Sequence, residues 1–211
     1  MQKRLIGFIL AITTLSSLLL TSCGDKNNKH KVSPEEYNDA FTTKVLSNFT
    51  VYITWDHNDN KEYYYYDGEN FAFCRYHDDV QYYGKLYKIE NGKESYYLYG
   101  SEYFEQFSEE DAFWSKSEIA LDEDSFFRQA DFVSLYKRDF HLLSYNEKTN
   151  KYAFDFVAQD FTGTYLYQFE NKRLKTFEIV NTQSDYHSVW KFYDYGNTQL
   201  PVIQERESPA E

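Results

Sequence analysis

Five histidines, His30, His57, His77, His141 and His187, are the first residues to weigh for acid–base or metal chemistry in this chain. None stands in a HExxH or HxH spacing, which would bring two imidazoles to one metal ion. Asp56-His57-Asn58-Asp59-Asn60 sets oxygens at alternating positions in the manner of a calcium loop. Lys61 stands where the sharp turn needs Gly, however, and Asp67 where a bidentate Glu is needed, so a hairpin turn is expected. Tyr76-His77-Asp78-Asp79 gathers a phenol, an imidazole and two carboxylates, but neighbouring strand residues point to opposite faces, and a turn is expected here too. Glu109-Glu110-Asp111 and Asp122-Glu123-Asp124 read as helix starts, where the dipole stabilises negative charge. The sequence holds no Gly-x-Ser-x-Gly elbow, phosphate-cradling Gly loop or dinucleotide fingerprint. The expectation is a chain without catalytic residues, metal or cofactor.

Two cysteines and a tyrosine run carry the remaining chemistry. Cys74 sits in the β-like run Phe71-Ala72-Phe73-Cys74-Arg75-Tyr76 and reads as a small buried residue. Tyr63, Tyr64, Tyr65 and Tyr66 are consecutive, so a strand there puts two rings on each face. Tyr offers wide, stiff, amphipathic contact area, and exposed rings at this run would suit an adhesion or envelope-assembly partner.

Cys23 is the cysteine with a chemical address. Lys3 and Arg4 precede an apolar stretch over residues 5–20, followed by small residues, the layout of a secretory leader. Leu20-Thr21-Ser22-Cys23 resembles the lipobox of bacterial lipoproteins. That resemblance implies cleavage after residue 22 and a diacylglyceryl group on the Cys23 thiol, two acyl chains being enough for stable anchoring. It places the mature chain on the extracytoplasmic face of the cell membrane, which would be its partner through the lipid.

Behind the leader, residues 24–32 are polar and read as a tether. The full chain has a formal charge of −12, and losing Lys3 and Arg4 makes it more acidic still. Such a surface repels nucleic acid. Aromatic residues make up 20% of the chain and Pro only three positions, which favours long strands with half-buried faces, a mainly β, antiparallel body with a few helices. Ser33, Pro34 and Glu36 spell a capping box for a helix running to about Ser47. Period-two segments follow at 49–56, 61–66, 70–77, 80–89 and 94–99, with Asn91-Gly92 the strongest turn signal between them. A helical insert is expected from Ser108 through Trp114 and again from Asp124 or Ser125 to Tyr136. Strand periodicity returns at 139–145, 151–158, 163–170, 173–181 and 186–195. One domain over residues 33–203 and a disordered tail at 204–211 complete the organisation.

An anchored Cys, an N-terminal helix, two meanders and a helical insert together resemble the LolA/LppX-like half-barrel lipoproteins. The closing segment Trp190-Lys191-Phe192-Tyr193-Asp194-Tyr195-Gly196, with its exit at Leu200-Pro201, is similar to the last strand of that family. The resemblance implies a curved antiparallel sheet or half-barrel packed on the N-terminal helix and the insert. It also implies an apolar ligand, lipid or otherwise, in the concave face without catalysis. Phe154, Phe156, Trp190 and Phe192, which alternation puts on apolar strand faces, are the expected lining. The chain departs from the family in its Tyr content and acidity, which suit a polar-rimmed cleft and a less greasy ligand.

Overall fold

The computed structural model describes residues 31–56, 58–108, 110, 112–118, 129–158 and 161–203. The leader, Cys23, most of the tether and the tail at 204–211 lie outside the described residues. So do His30, His57, Glu109, Asp111 and the expected helix start at Asp122-Glu123-Asp124.

The first helix, α1 (Pro34–Ala40), begins as its capping box dictates. The Ser33 hydroxyl accepts from the Glu36 amide at 3.1 Å and the Glu36 carboxylate accepts from the Ser33 amide at 3.0 Å. It stops at Ala40 and not at Ser47. The Thr42 hydroxyl donates to the Asp39 carbonyl at 2.7 Å and the Thr42 amide bonds the same oxygen, so the chain tightens into turns. Tyr37, Ala40, Phe41 and Leu46 still form one buried stripe.

Eleven antiparallel strands follow: β1 (Phe49–Trp55), β2 (Asn58–Tyr66), β3 (Phe71–His77), β4 (Val80–Glu90), β5 (Lys93–Gly100), β6 (Trp114–Ser117), β7 (Ser144–Asn146), β8 (Lys151–Ala158), β9 (Phe161–Glu170), β10 (Arg173–Asn181) and β11 (His187–Tyr193). The second helix, α2 (Gln129–Tyr136), lies between β6 and β7. The strands form one curved, unclosed sheet in the order β6-β5-β4-β3-β2-β1-β11-β10-β9-β8-β7. Two meanders therefore run outward from the middle, joined where β1 pairs with β11 through Ile53↔Trp190 and Val51↔Phe192. The mainly β, curved antiparallel sheet packed on two helices is the fold class anticipated above.

Turn chemistry sets the registers. Asp78-Asp79, Asn91-Gly92 and Asn171-Lys172 all have positive φ at both positions, the type I′ geometry that matches strand twist. The turn expected in the calcium-like segment is not found at Asn58-Asp59-Asn60, which already belong to β2 and pair with its neighbours. Two expectations fail, one in the insert and one just after it. Trp114 opens a strand and not a helix turn, because its indole lies over Gly84, where a Cβ would come within 2.6 Å of the ring. Residues 139–145 are mostly not strand: Phe140–Leu142 is a 3-10 turn, and only Ser144–Asn146 pairs, with β8.

Alternation divides the sheet into two faces. The inner face, which carries the helices, presents Val51, Ile53, Tyr167, Phe177, Trp190 and Phe192 to Tyr37, Phe41 and Phe132. Cys74 packs on the opposite face with Ala72, Leu86, Tyr97 and Trp114, beneath Leu200 and Ile203. Burial pushes the Cys74 thiol up to about 12 and keeps it a packing residue.

Buried hydroxyls tie the helices down. Tyr37 donates to the Arg138 carbonyl at 2.9 Å, and Tyr152 donates to the Val32 carbonyl at 3.0 Å. Burial raises both phenols to about 12 against an ordinary value near 10. An unfolded chain releases these protons near pH 10 while the folded one holds them, so stability is full below about pH 10. It is expected to fall as pH rises through 12. Denaturant midpoints measured in steps across that window, with tyrosinate absorbance in parallel, check the sign.

Candidate functional site

At one end of the inner face, the β1–β2, β3–β4 and β10–β11 turns converge with the exit of β5. They enclose an open cleft of about 750 Å³. That volume lies within the range of small-molecule sites.

The cleft floor is built from cross-strand pairs. Glu62 of β2 stands opposite Arg75 of β3, and Asn60 opposite His77. Arg75 Nε donates to Glu62 at 3.0 Å, and the Tyr64 hydroxyl donates to the other carboxylate oxygen at 3.0 Å. The guanidinium rests on the rings of Phe73 and Tyr83, at 5.1 and 5.7 Å. Burial pulls the Arg75 pKa down, but the charge and hydrogen bond of Glu62 outweigh it and hold it above the ordinary value. His77 Nδ1 lies 3.0 Å from the Asn60 side-chain oxygen.

Irregular backbone aims the walls. Between β3 and β4 the register shifts, leaving Tyr82 unpaired in a bulge that turns its ring toward Phe104, 5.5 Å away. A second shift lies between Thr54 and Trp55, beside the cleft. Gly100, at φ +65°, then reverses β5 while the Ser101 amide bonds the Tyr82 carbonyl at 2.9 Å. That turn delivers Glu102, Tyr103, Phe104 and Glu105 as one wall, with the Phe104 ring 4.2 Å from the imidazole of His77. Trp55 and Tyr186 form the opposite wall. Asp56, at its end, lies 2.9 Å from His187 Nδ1, and Glu178 lies 3.5 Å from His187 Nε2.

The structure does not gather the four expected lining residues around an open space. Trp190 and Phe192 are buried, with Phe132 of α2 at 5.8 and 5.2 Å over them. Phe154 and Phe156 are half-buried on β8, Phe154 beneath Arg138. Phe156 reaches the cleft only indirectly, through Phe161 at 5.3 Å and then Tyr186 at 6.3 Å. Sequence reasoning missed Arg75, Glu62 and the 102–105 wall. The usable signal was Gly100 at a strand end followed by two acids flanking two aromatic rings.

The four tyrosines divide as alternation requires, and all four are half-buried. Tyr64 packs on Phe73 at 4.7 Å, and the Tyr66 hydroxyl donates to the Gly68 carbonyl. On the other face, Tyr63 packs on Tyr52 at 4.7 Å and on Tyr76 at 5.2 Å. Tyr65 joins the Cys74 cluster, and burial drives its hydroxyl pKa far up. Changing Tyr63 and Tyr65 together to Ser is expected to remove about 3 kcal/mol of stability. Chemical denaturation measures it, and an unchanged midpoint would show those rings to be free surface.

Among the described residues, no group of three His, Cys, Asp or Glu converges as metal ligands, and no helix is long and apolar enough to cross a membrane. No protein-family model matches the chain, and comparison with curated proteins finds no match.

Proposed function

We propose that this chain is a lipid-anchored lipoprotein of the extracytoplasmic face of the cell membrane that binds an amphipathic small molecule in the end cleft of its half-barrel. The observation that carries the reading is the cleft itself. It is an open cleft of about 750 Å³, with walls of aromatic rings and a floor of polar groups already fixed by one another. Rings supply apolar contact and a few placed polar groups supply orientation, the usual division of labour in ligand sites. The likeness to LolA/LppX-like half-barrel lipoproteins supports a carrier or receptor role. The ligand position moves, however, because Phe132 and Tyr136 fill the space over Trp190 where the resemblance would put it. The lipobox supports anchoring through Cys23.

Native mass spectrometry of the full chain purified from its own host tests the binding. A co-purifying small molecule is expected, and it should be lost in an Asn60→Trp variant that fills the floor of the cleft and keeps its circular dichroism. Repeated recovery of empty protein would sink the binding reading. Cys23→Ser is expected to release the protein from membranes, and an unmodified thiol at Cys23 in the natural protein would sink the anchor.

A further inference from the structure

We infer that the molecule held in this cleft is an organic cation: a protonated or quaternary amine carried on an apolar body. The inference rests on the binding reading above and names the ligand chemistry of the same site.

The cleft's charges are unevenly used. Glu62 is matched by Arg75 at 3.0 Å, and Asp56 is engaged by His187 at 2.9 Å. Glu102 and Glu105, on the wall that follows Gly100, are exposed and carry no ion pair among the described residues. An anionic ligand would meet four carboxylates against one guanidinium whose Nε is already bonded, so its sign is wrong for this site. Between the two free acids stand Tyr103, 58% exposed, and Phe104, 36% exposed with His77 and Tyr82 beside its ring. Trp55 faces them across the cleft. Indole and phenol faces attract cations, by about 0.5–2 kcal/mol per ring depending on desolvation. Carboxylates at the rim add long-range steering. The fold already solves the same problem once: on the cleft floor, the Arg75 guanidinium lies on Phe73 and Tyr83 with a carboxylate at its edge. The mouth offers a similar set of partners, with His77 beside Phe104 and, among the described residues, no Lys or Arg paired to Glu102 or Glu105.

A charge series on the full-length protein tests the inference. The probes are benzyltrimethylammonium, its neutral carbon isostere neopentylbenzene, and phenylacetate. Binding is read by calorimetry and by tryptophan fluorescence, since Trp55 lies in the wall. The cation is expected to bind roughly tenfold more tightly than the isostere, and phenylacetate not measurably. In a Glu102→Gln, Glu105→Gln double variant, whose changed side chains are exposed and spare the fold, the cation should bind roughly three- to tenfold more weakly, with less salt dependence. Neopentylbenzene binding as tightly as the cation, phenylacetate binding more tightly, or a double variant that holds the cation unchanged would each overturn the cationic assignment. In those cases a native molecule found by mass spectrometry would still uphold the cleft as a binding site. Failure of all three probes overturns the assignment as well, and empty protein from the host would then remove the binding reading with it.

Discussion

A Gly100→Ala chain is expected to lose about 2–5 kcal/mol of stability, combining the left-handed backbone penalty with an enforced steric shift. Gly100 has φ +65°, and a Cβ there would stand 2.0 Å from the Tyr82 carbonyl oxygen and 2.9 Å from its carbon. Both are backbone atoms of the bulge, so nothing flexible can move aside. The same carbonyl accepts from the Ser101 amide, the bond that sends the chain into the 102–105 wall. The variant should therefore lose the cleft's binding even at temperatures where it remains folded. Gly92→Ala is the matched control: φ is +73° but no atom lies within 4 Å of the added methyl, so only the backbone term of about 1–2 kcal/mol applies. Denaturant midpoints for the two variants, read with ligand titration, separate the terms. Equal losses would show that the close approach to Tyr82 does not matter.

Phe132→Ala is expected to cost about 3–5 kcal/mol, the range for deleting a buried aromatic side chain. Phe132 is 1% exposed and is the point where α2 meets the sheet. Its ring stacks on Phe41 at 6.1 Å and meets Phe177 edge-on at 5.4 Å, with Trp190 and Phe192 beneath. These contacts come from three different segments, the turn after α1, β10 and β11, so the site cannot collapse by moving one of them, and a cavity should remain. Equilibrium denaturation with an unchanged slope measures the loss. The cavity should be dry and take up benzene or xenon, as apolar cavities do. An effect under 1 kcal/mol would mean that α2 contributes little to holding the inner face.

Strand periodicity was readable because it is local. Lys151–Ala158 and Arg173–Asn181 have the ends that alternation and turn residues assign them. Ser33 starts its helix as the capping box says, since that signal is three residues long. What could not be read was which strand meets which across long separations. Nothing near Ile53 names Trp190 as its partner, yet that pairing organises the sheet. Trp114 was misread for a related reason: its strand exists because Gly84, far along the chain, leaves room for an indole. The cleft was hidden in the same way. Its lining comes from the β1–β2, β3–β4 and β10–β11 ends and the exit of β5, between Trp55 and Tyr186, and two of its walls depend on bulges that alternation cannot signal. Alternation found the inward faces of Phe154, Phe156, Trp190 and Phe192, but it is silent on what covers them. Phe132 covers two of the four.

The seam between β1 and β11 has a consequence for synthesis. Its paired residues, such as Val51 and Phe192, are separated by nearly the whole domain, so the sheet's centre is the last part that a chain emerging from its amino end can assemble. Until His187 to Tyr193 arrives, the first meander presents β1 as an open edge, with Val51 and Ile53 uncovered beside it. A stall in synthesis at that moment would leave half a sheet able to pair with its neighbours, so timely delivery of one seven-residue strand guards the molecule against aggregation.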